Sequence, residues 1–119
     1  MTSVLITDES RFSRLALKKL IEQLRPEWTV QECSSPTEVF TLLQAGGLDG
    51  VLIDYHMPQM NGLALADTVL KRFSGFPVAL VSANLREQVK GEAESLGVHY
   101  LPKPVSEADM ADFLVRVEA

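Results

Sequence analysis

Val51-Leu52-Ile53-Asp54-Tyr55-His56-Met57-Pro58-Gln59-Met60-Asn61-Gly62-Leu63 is the stretch whose reading decides the fold. Three apolar residues run straight into an acid, then into a segment carrying Pro58 and Asn61-Gly62. An apolar triplet without polar alternation reads as a strand buried on both faces, which belongs to a parallel sheet covered by helices. Tyr55 to Gly62 reads as a loop. A helix is expected from Leu63 to Phe73.

The same unit repeats on either side. Val4-Leu5-Ile6 is an apolar run ending at Thr7-Asp8-Glu9. Phe12, Leu15, Ala16, Leu20, Ile21 and Leu24 then recur at three- to four-residue spacing, which predicts one helix face, stopped by Pro26. Thr29 to Cys33 is a second candidate strand with Val30 as its main core residue. Ser35-Pro36-Thr37-Glu38 has the form of a capping box with proline at the first helical position. The helix it opens, through Val39, Phe40, Leu42 and Leu43, ends at Gly46-Gly47.

Beyond the central stretch, Val78-Ala79-Leu80-Val81 forms a fourth strand that runs into Ser82. The helix expected over residues 85–96 contains Gly91, which costs about 1 kcal/mol relative to Ala in a helix interior, so this helix is expected to be the most mobile. His99-Tyr100-Leu101 is a short last strand, followed by Pro102-Lys103-Pro104. Ser106 to Asp109 is another helix cap, and Met110, Phe113, Leu114 and Val117 are the expected buried face of the last helix. Trp28 is expected to pack in the core or anchor a loop.

Five strands alternating with five helices give an α/β fold with a parallel sheet and helices on both sides, and right-handed crossovers leave few topologies. The chain of 119 residues suits one domain. Its 46% hydrophobic and 23% charged residues exclude wholesale disorder. A net charge of -5, with no basic stripe, argues against direct nucleic-acid binding. No apolar run reaches the ~18 residues of a membrane span, and the N-terminus lacks the pattern of a signal peptide. The lone Cys33 makes no internal disulfide; it is expected to pack as a small hydrophobe, and a reducing cytoplasm is the expected compartment.

Open parallel sheets bind ligands outside the carboxyl ends of their strands. The first strand ends in Asp8-Glu9, the third in Asp54 and the fourth in Ser82, and Lys103 follows the fifth. Singly, each of these is an ordinary turn residue. Together they crowd three carboxylates at one end of the sheet, which is costly without a cation; a hard ion such as Mg2+ takes such oxygen ligands.

These residues carry a resemblance. The segments Val4 to Arg14, Leu52 to Leu63, Leu80 to Ala83 and Tyr100 to Pro104 resemble the CheY-like receiver domain of two-component response regulators, over essentially the whole chain. The resemblance implies a flavodoxin-like, doubly wound five-stranded parallel sheet in order 2-1-3-4-5 with five helices, residues 1–119 forming a single receiver domain. It implies phosphoryl transfer from a sensor histidine kinase or phosphotransfer protein, so that the domain is a signalling phospho-acceptor that catalyses only its own phosphorylation and dephosphorylation.

Residue by residue, the resemblance makes Asp54 the phospho-acceptor and Asp8, Glu9, Asp54 and the backbone carbonyl of His56 the Mg2+ ligands. The family's second acid is often Asp, so Glu9 departs from its pattern by one methylene. Ser82 matches the hydroxyl that bonds the phosphoryl group, and Lys103, before a peptide bond to Pro104 that is often cis in the family, matches the phosphate-pairing lysine. Tyr100 matches the aromatic that switches with Ser82. His56 and Asn84 fall at the positions that tune dephosphorylation. Output runs through the face of the fourth helix, fifth strand and fifth helix, about residues 85–117, to a downstream protein. The expected state is a monomer or a phosphorylation-dependent dimer. A stand-alone domain and one cut from a longer regulator are both compatible with the sequence.

Three other readings compete. An aspartyl-phosphate phosphatase needs a second carboxylate two residues after its nucleophile, where His56 stands here. A flavodoxin-type cofactor binder needs a hydroxyl- and glycine-rich first loop, where this chain has Asp8-Glu9. A degenerate receiver acting only as an interaction module is disfavoured because every site position carries compatible chemistry.

Overall fold

The computed structural model describes residues 1–83 and 86–119. Five strands, β1 (Ser3–Thr7), β2 (Thr29–Cys33), β3 (Gly50–Asp54), β4 (Val78–Ser82) and β5 (His99–Pro102), alternate with five helices, α1 (Arg11–Leu24), α2 (Pro36–Ala45), α3 (Gly62–Arg72), α4 (Glu87–Leu96) and α5 (Glu107–Glu118). All strand pairs are parallel, in the order β2-β1-β3-β4-β5. This is the flavodoxin-like arrangement expected from the sequence.

Strand alternation distributes the central residues between two cores. Leu5, Val51, Ile53, Val78 and Leu80 face the layer containing Val39 and Leu43 of α2, Val69 of α3 and Ala93 of α4. Val4, Ile6, Leu52, Ala79 and Val81 face the other layer, against Leu17 and Ile21 of α1 and Phe113 and Leu114 of α5. Every residue of β1, β3 and β4 is therefore buried, which is why these strands read as apolar runs.

The predicted face of α1 is corrected by this packing. Leu17 and Ile21 are its buried residues, while Phe12 is 84% and Leu15 48% exposed and Ala16 is exposed too. The apolar periodicity covered two faces: one turned to the sheet and one turned to solvent. In β2, an edge strand, Cys33 is the buried residue and Val30 is half-buried. Ser35 caps α2 without bonding a backbone N–H; its hydroxyl donates to the Glu38 carboxylate instead, at 3.2 Å. Ser106 caps α5 as expected, accepting from the Asp109 N–H at 3.1 Å. The expected buried face of α5 is the observed one. Trp28 packs into the α1–α5 core, with the Arg25 guanidinium over its ring.

Candidate functional site

Register brings the carboxyl ends together. Thr7 pairs with Ile53 across β1 and β3, so Asp8 and Asp54 follow side by side. Ser82 pairs with Pro102 across β4 and β5, and the Lys103 N–H donates to the Ser82 carbonyl at 2.8 Å. Lys103 thus starts one residue beyond the sheet, on the same side as the two acids. The Lys103–Pro104 peptide is cis.

The Lys103 ammonium bridges the two carboxylates. Its Nζ lies 2.7 Å from Asp54 Oδ1 and 3.2 Å from Asp8 Oδ2. Asp8 is 1% exposed and Asp54 is likewise buried. Burial pushes the Asp54 carboxyl up from its ordinary range, and the Asp8 charge adds to that, against the opposing hydrogen bond and charge of Lys103. Burial works against the Lys103 ammonium, but its bonds and charges with Asp54 and Asp8 outweigh this and raise its pKa. The cluster therefore combines two acids with one firmly protonated cation, an anionic well next to water.

Asp8 is held at every polar point. Its N–H donates to the Cys33 carbonyl at 3.2 Å, its Oδ1 accepts from the Ser10 N–H at 2.9 Å, and its carbonyl accepts from Arg14 Nη1 at 2.6 Å. Ser10 also caps α1 through its hydroxyl, 3.3 Å from the Ser13 N–H.

The loop after Asp54 is equally constrained. Asp54 Oδ2 accepts from the His56 N–H at 3.1 Å, a local side-chain-to-backbone turn of the kind Asp favours. The Met60 N–H donates to the Pro58 carbonyl at 2.9 Å, placing Gln59 (φ 74°) at the centre of a tight three-residue turn. Asn61 then caps α3 by accepting from the Ala64 N–H at 2.8 Å, and the Gly62 N–H donates to the Tyr55 carbonyl at 2.6 Å.

Of the site residues expected from the sequence, Asp8, Asp54 and Lys103 are brought into direct contact, and Ser82 is fully buried at the adjacent strand end. Glu9 is exposed, and among the described residues no group of three or more His, Cys, Asp or Glu lies together as a metal site. The donors present, carboxylate oxygens beside a solvent-facing acid, nonetheless suit a hard, oxygen-seeking dication. The His56 imidazole is exposed and meets the Tyr55 ring edge-on, centroids 5.3 Å apart. Tyr100 is half-buried against the α2–α3–α4 core. Asn84, expected to tune dephosphorylation, lies outside the described residues. Sequence reasoning missed the roles of Arg14, Gly62 and Gln59. Only Arg14 offered a signal, as a cation four residues after a Ser at a strand-to-helix turn.

An apolar groove flanks the cluster. Phe12, Ala16 and Leu20 of α1 line it on one side, Pro104 and Val105 on the other, and Lys103 reaches its edge. No described helix is long and apolar enough to cross a membrane.

Comparison with known proteins gives concordant results. The family described as Response regulator receiver domain matches residues 4–115. The chain is 30% identical over 106 residues to the cyclic di-GMP phosphodiesterase response regulator RpfG of Xanthomonas campestris, covering 87% of this chain and 28% of that protein; it spans under a third of that relative's length. Among solved structures, the receiver domain of Francisella response regulator 1452 superposes with a TM-score of 0.86 at 22% identity, covering 99% of this chain and 98% of that one. The chemotaxis response regulator CheY4 of Vibrio cholerae superposes with a TM-score of 0.81 at 22% identity, covering 98% of both chains.

Proposed function

This chain belongs to the response regulator receiver domain family of two-component signalling, and on that premise we propose that Asp54 accepts a phosphoryl group from a sensor histidine kinase or phosphotransfer protein. The observation that carries the reading is the contact of the Lys103 ammonium with both Asp54 and Asp8 at the open end of the sheet. A nucleophilic carboxylate beside a fixed cation is what transfer to an aspartate needs, since the transferred group brings negative charge with it.

An Asp54 carboxylate oxygen forms a bond to phosphorus as the P–N bond to the donor imidazole breaks. The electron pair stays on that nitrogen, which takes a proton from water. Lys103 then faces the new phosphoryl group, and the Ser82 hydroxyl, at the end of β4, supplies a further donor. Asp8, with Asp54, Glu9 and the His56 carbonyl, would hold Mg2+, which when bound neutralises charge on the phosphoryl oxygens. Glu9, exposed in this structure, would join that set only by turning inward from solvent.

Drawing Lys103 and Ser82 toward the phosphoryl group biases the β4–β5 end and with it Tyr100, a local charge event acting on a two-state element. The face of α4, β5 and α5 then presents a changed surface to a downstream protein. The donor approaches over the groove between Phe12 and Val105, which borders Lys103. The domain works in a reducing compartment, the cytoplasm, where the buried free thiol of Cys33 persists.

The test is incubation with acetyl phosphate, with and without Mg2+, read as a hydroxylamine-labile phosphoryl group. Labelling that depends on Mg2+ supports the reading. Its absence in folded protein assigns the domain to interaction alone.

A further inference from the structure

Arg14 has no part in the chemistry described above, yet it makes the shortest polar contact to the acidic end of β1. Its Nη1 donates to the Asp8 carbonyl at 2.6 Å, and its Nε donates to Glu32 Oε1 at 3.1 Å. Glu32 in turn holds Lys18 at 3.6 Å. The Arg14 side chain is 17% exposed, so most of this fork is sheltered from screening water.

The arrangement solves a local problem. Pairing of β1 with its neighbours ends at Thr7, and a carbonyl at a strand end needs another donor. Arg14 supplies it from one turn into α1, where its own N–H is fixed on the Ser10 carbonyl at 3.0 Å. A guanidinium so close to a cation site would by itself repel a dication. Glu32 offsets that charge and, with its second partner, fixes the plane of the guanidinium, which a lysine could not match because it lacks the rigid fork.

We infer that Arg14, oriented by Glu32, is a positioning residue that locks the Asp8 backbone so that its carboxylate faces Lys103 and the incoming dication. The Cys33 carbonyl on the Asp8 N–H holds the peptide before the Asp8 Cα, and the Arg14 guanidinium on the Asp8 carbonyl holds the peptide after it, so the backbone is fixed on both sides of the acid. The end of β2 thereby controls the acid at the end of β1. The inference rests on the reading of Asp8 as a Mg2+ ligand.

The experiment measures two quantities on purified wild type, Arg14→Gln, Arg14→Lys, Glu32→Gln and the Arg14→Gln/Glu32→Gln double variant: Mg2+ affinity by calorimetric titration, and amide hydrogen exchange at Asp8 and Glu9 without metal. Loss of a group that orients a metal ligand typically costs 10–100-fold in affinity. Arg14→Gln is expected to weaken Mg2+ about tenfold by that rule and to speed exchange at Asp8 and Glu9, with β4 amides unchanged. Arg14→Lys is expected to recover little. Glu32→Gln weakens Mg2+ too, and the double variant is no worse than Arg14→Gln alone, because Glu32 acts through Arg14. Unchanged affinity and exchange overturn the inference, as does tighter Mg2+ binding in Arg14→Gln, which would make Arg14 a mere repelling charge. If the wild type takes no Mg2+, the metal reading fails, and exchange at Asp8 still decides whether Arg14 fixes it. Should Arg14→Gln not fold, Arg14→Lys and Glu32→Gln carry the same comparison.

Discussion

Gly62 sits against the backbone of Asp54: a β-carbon at position 62 would lie 2.8 Å from the Asp54 carbonyl carbon and 2.9 Å from the Tyr55 Cα. Real β-carbons do not come this close to backbone, and backbone cannot swing aside as a flexible side chain can. The start of α3 is thereby packed directly under Asp54. Gly62→Ala must push the Asp54–Tyr55 peptide away, and overpacking of this kind costs about 1–3 kcal/mol. Chemical denaturation is expected to show that loss, and labelling by acetyl phosphate is expected to be slower. Wild-type values for both would contradict the packing argument.

The Lys103 ammonium offsets the mutual repulsion of two buried carboxylates. Lys103→Met leaves them uncompensated, and breaking a buried pair from one side costs about 3 kcal/mol or more. The sign of the pH dependence follows from Asp54. Its folded pKa already lies above the ordinary value, so the native state binds the proton more readily, and stability falls as pH rises through the window above that value. Removing the ammonium widens the window upward. Lys103→Met should therefore lose more stability at pH 7 than at pH 4, as read by urea midpoints at both. Equal losses would mean that the charge pair has no energetic role.

His99 at the start of β5 packs edge-on against Phe113, centroids 5.6 Å apart. Burial lowers its pKa, and the Arg116 charge adds to that while Asp112 and Asp109 oppose it. A depressed histidine leaves the unfolded chain binding more protons below its ordinary pKa of about 6.5, so stability falls as pH drops through that window. His99→Gln should flatten the dependence below about pH 6.5 relative to wild type. An unchanged slope would show that another group sets it.

Phe12 is 84% exposed beside a groove that reaches Lys103. A large apolar side chain in that place suits a docking anchor of the kind that dominates interfaces. Phe12→Ala should cut the transfer rate from a phosphorylated protein donor about tenfold or more, the size of a contact worth at least 1.4 kcal/mol, while leaving transfer from acetyl phosphate unchanged. Equal effects on both donors would place the residue's role inside the domain instead.

The fold was legible because β1, β3 and β4 are buried on both faces and so appear as uninterrupted apolar runs. Strand-end residues then marked Asp8, Asp54, Ser82 and Lys103 without any contact information. What periodicity could not separate was the two faces of α1, because solvent-facing Phe12 and Leu15 follow the same spacing as buried Leu17 and Ile21. Nor could it give the side-chain options at Ser35, where the hydroxyl chose the Glu38 carboxylate over the helix backbone. The Arg14–Glu32 pair joins residues 18 positions apart, and the steric role of Gly62 depends on where α3 lands; both are products of tertiary packing.

The central claim is that Asp54 is the phospho-acceptor. Intact mass after incubation with Mg2+ and acetyl phosphate, for wild type beside Asp54→Asn, tests it most directly. The account predicts one added phosphoryl group on the wild type, dependent on Mg2+, and none on the variant. A phosphoryl group gained by Asp54→Asn, or none gained by folded wild type, would contradict it.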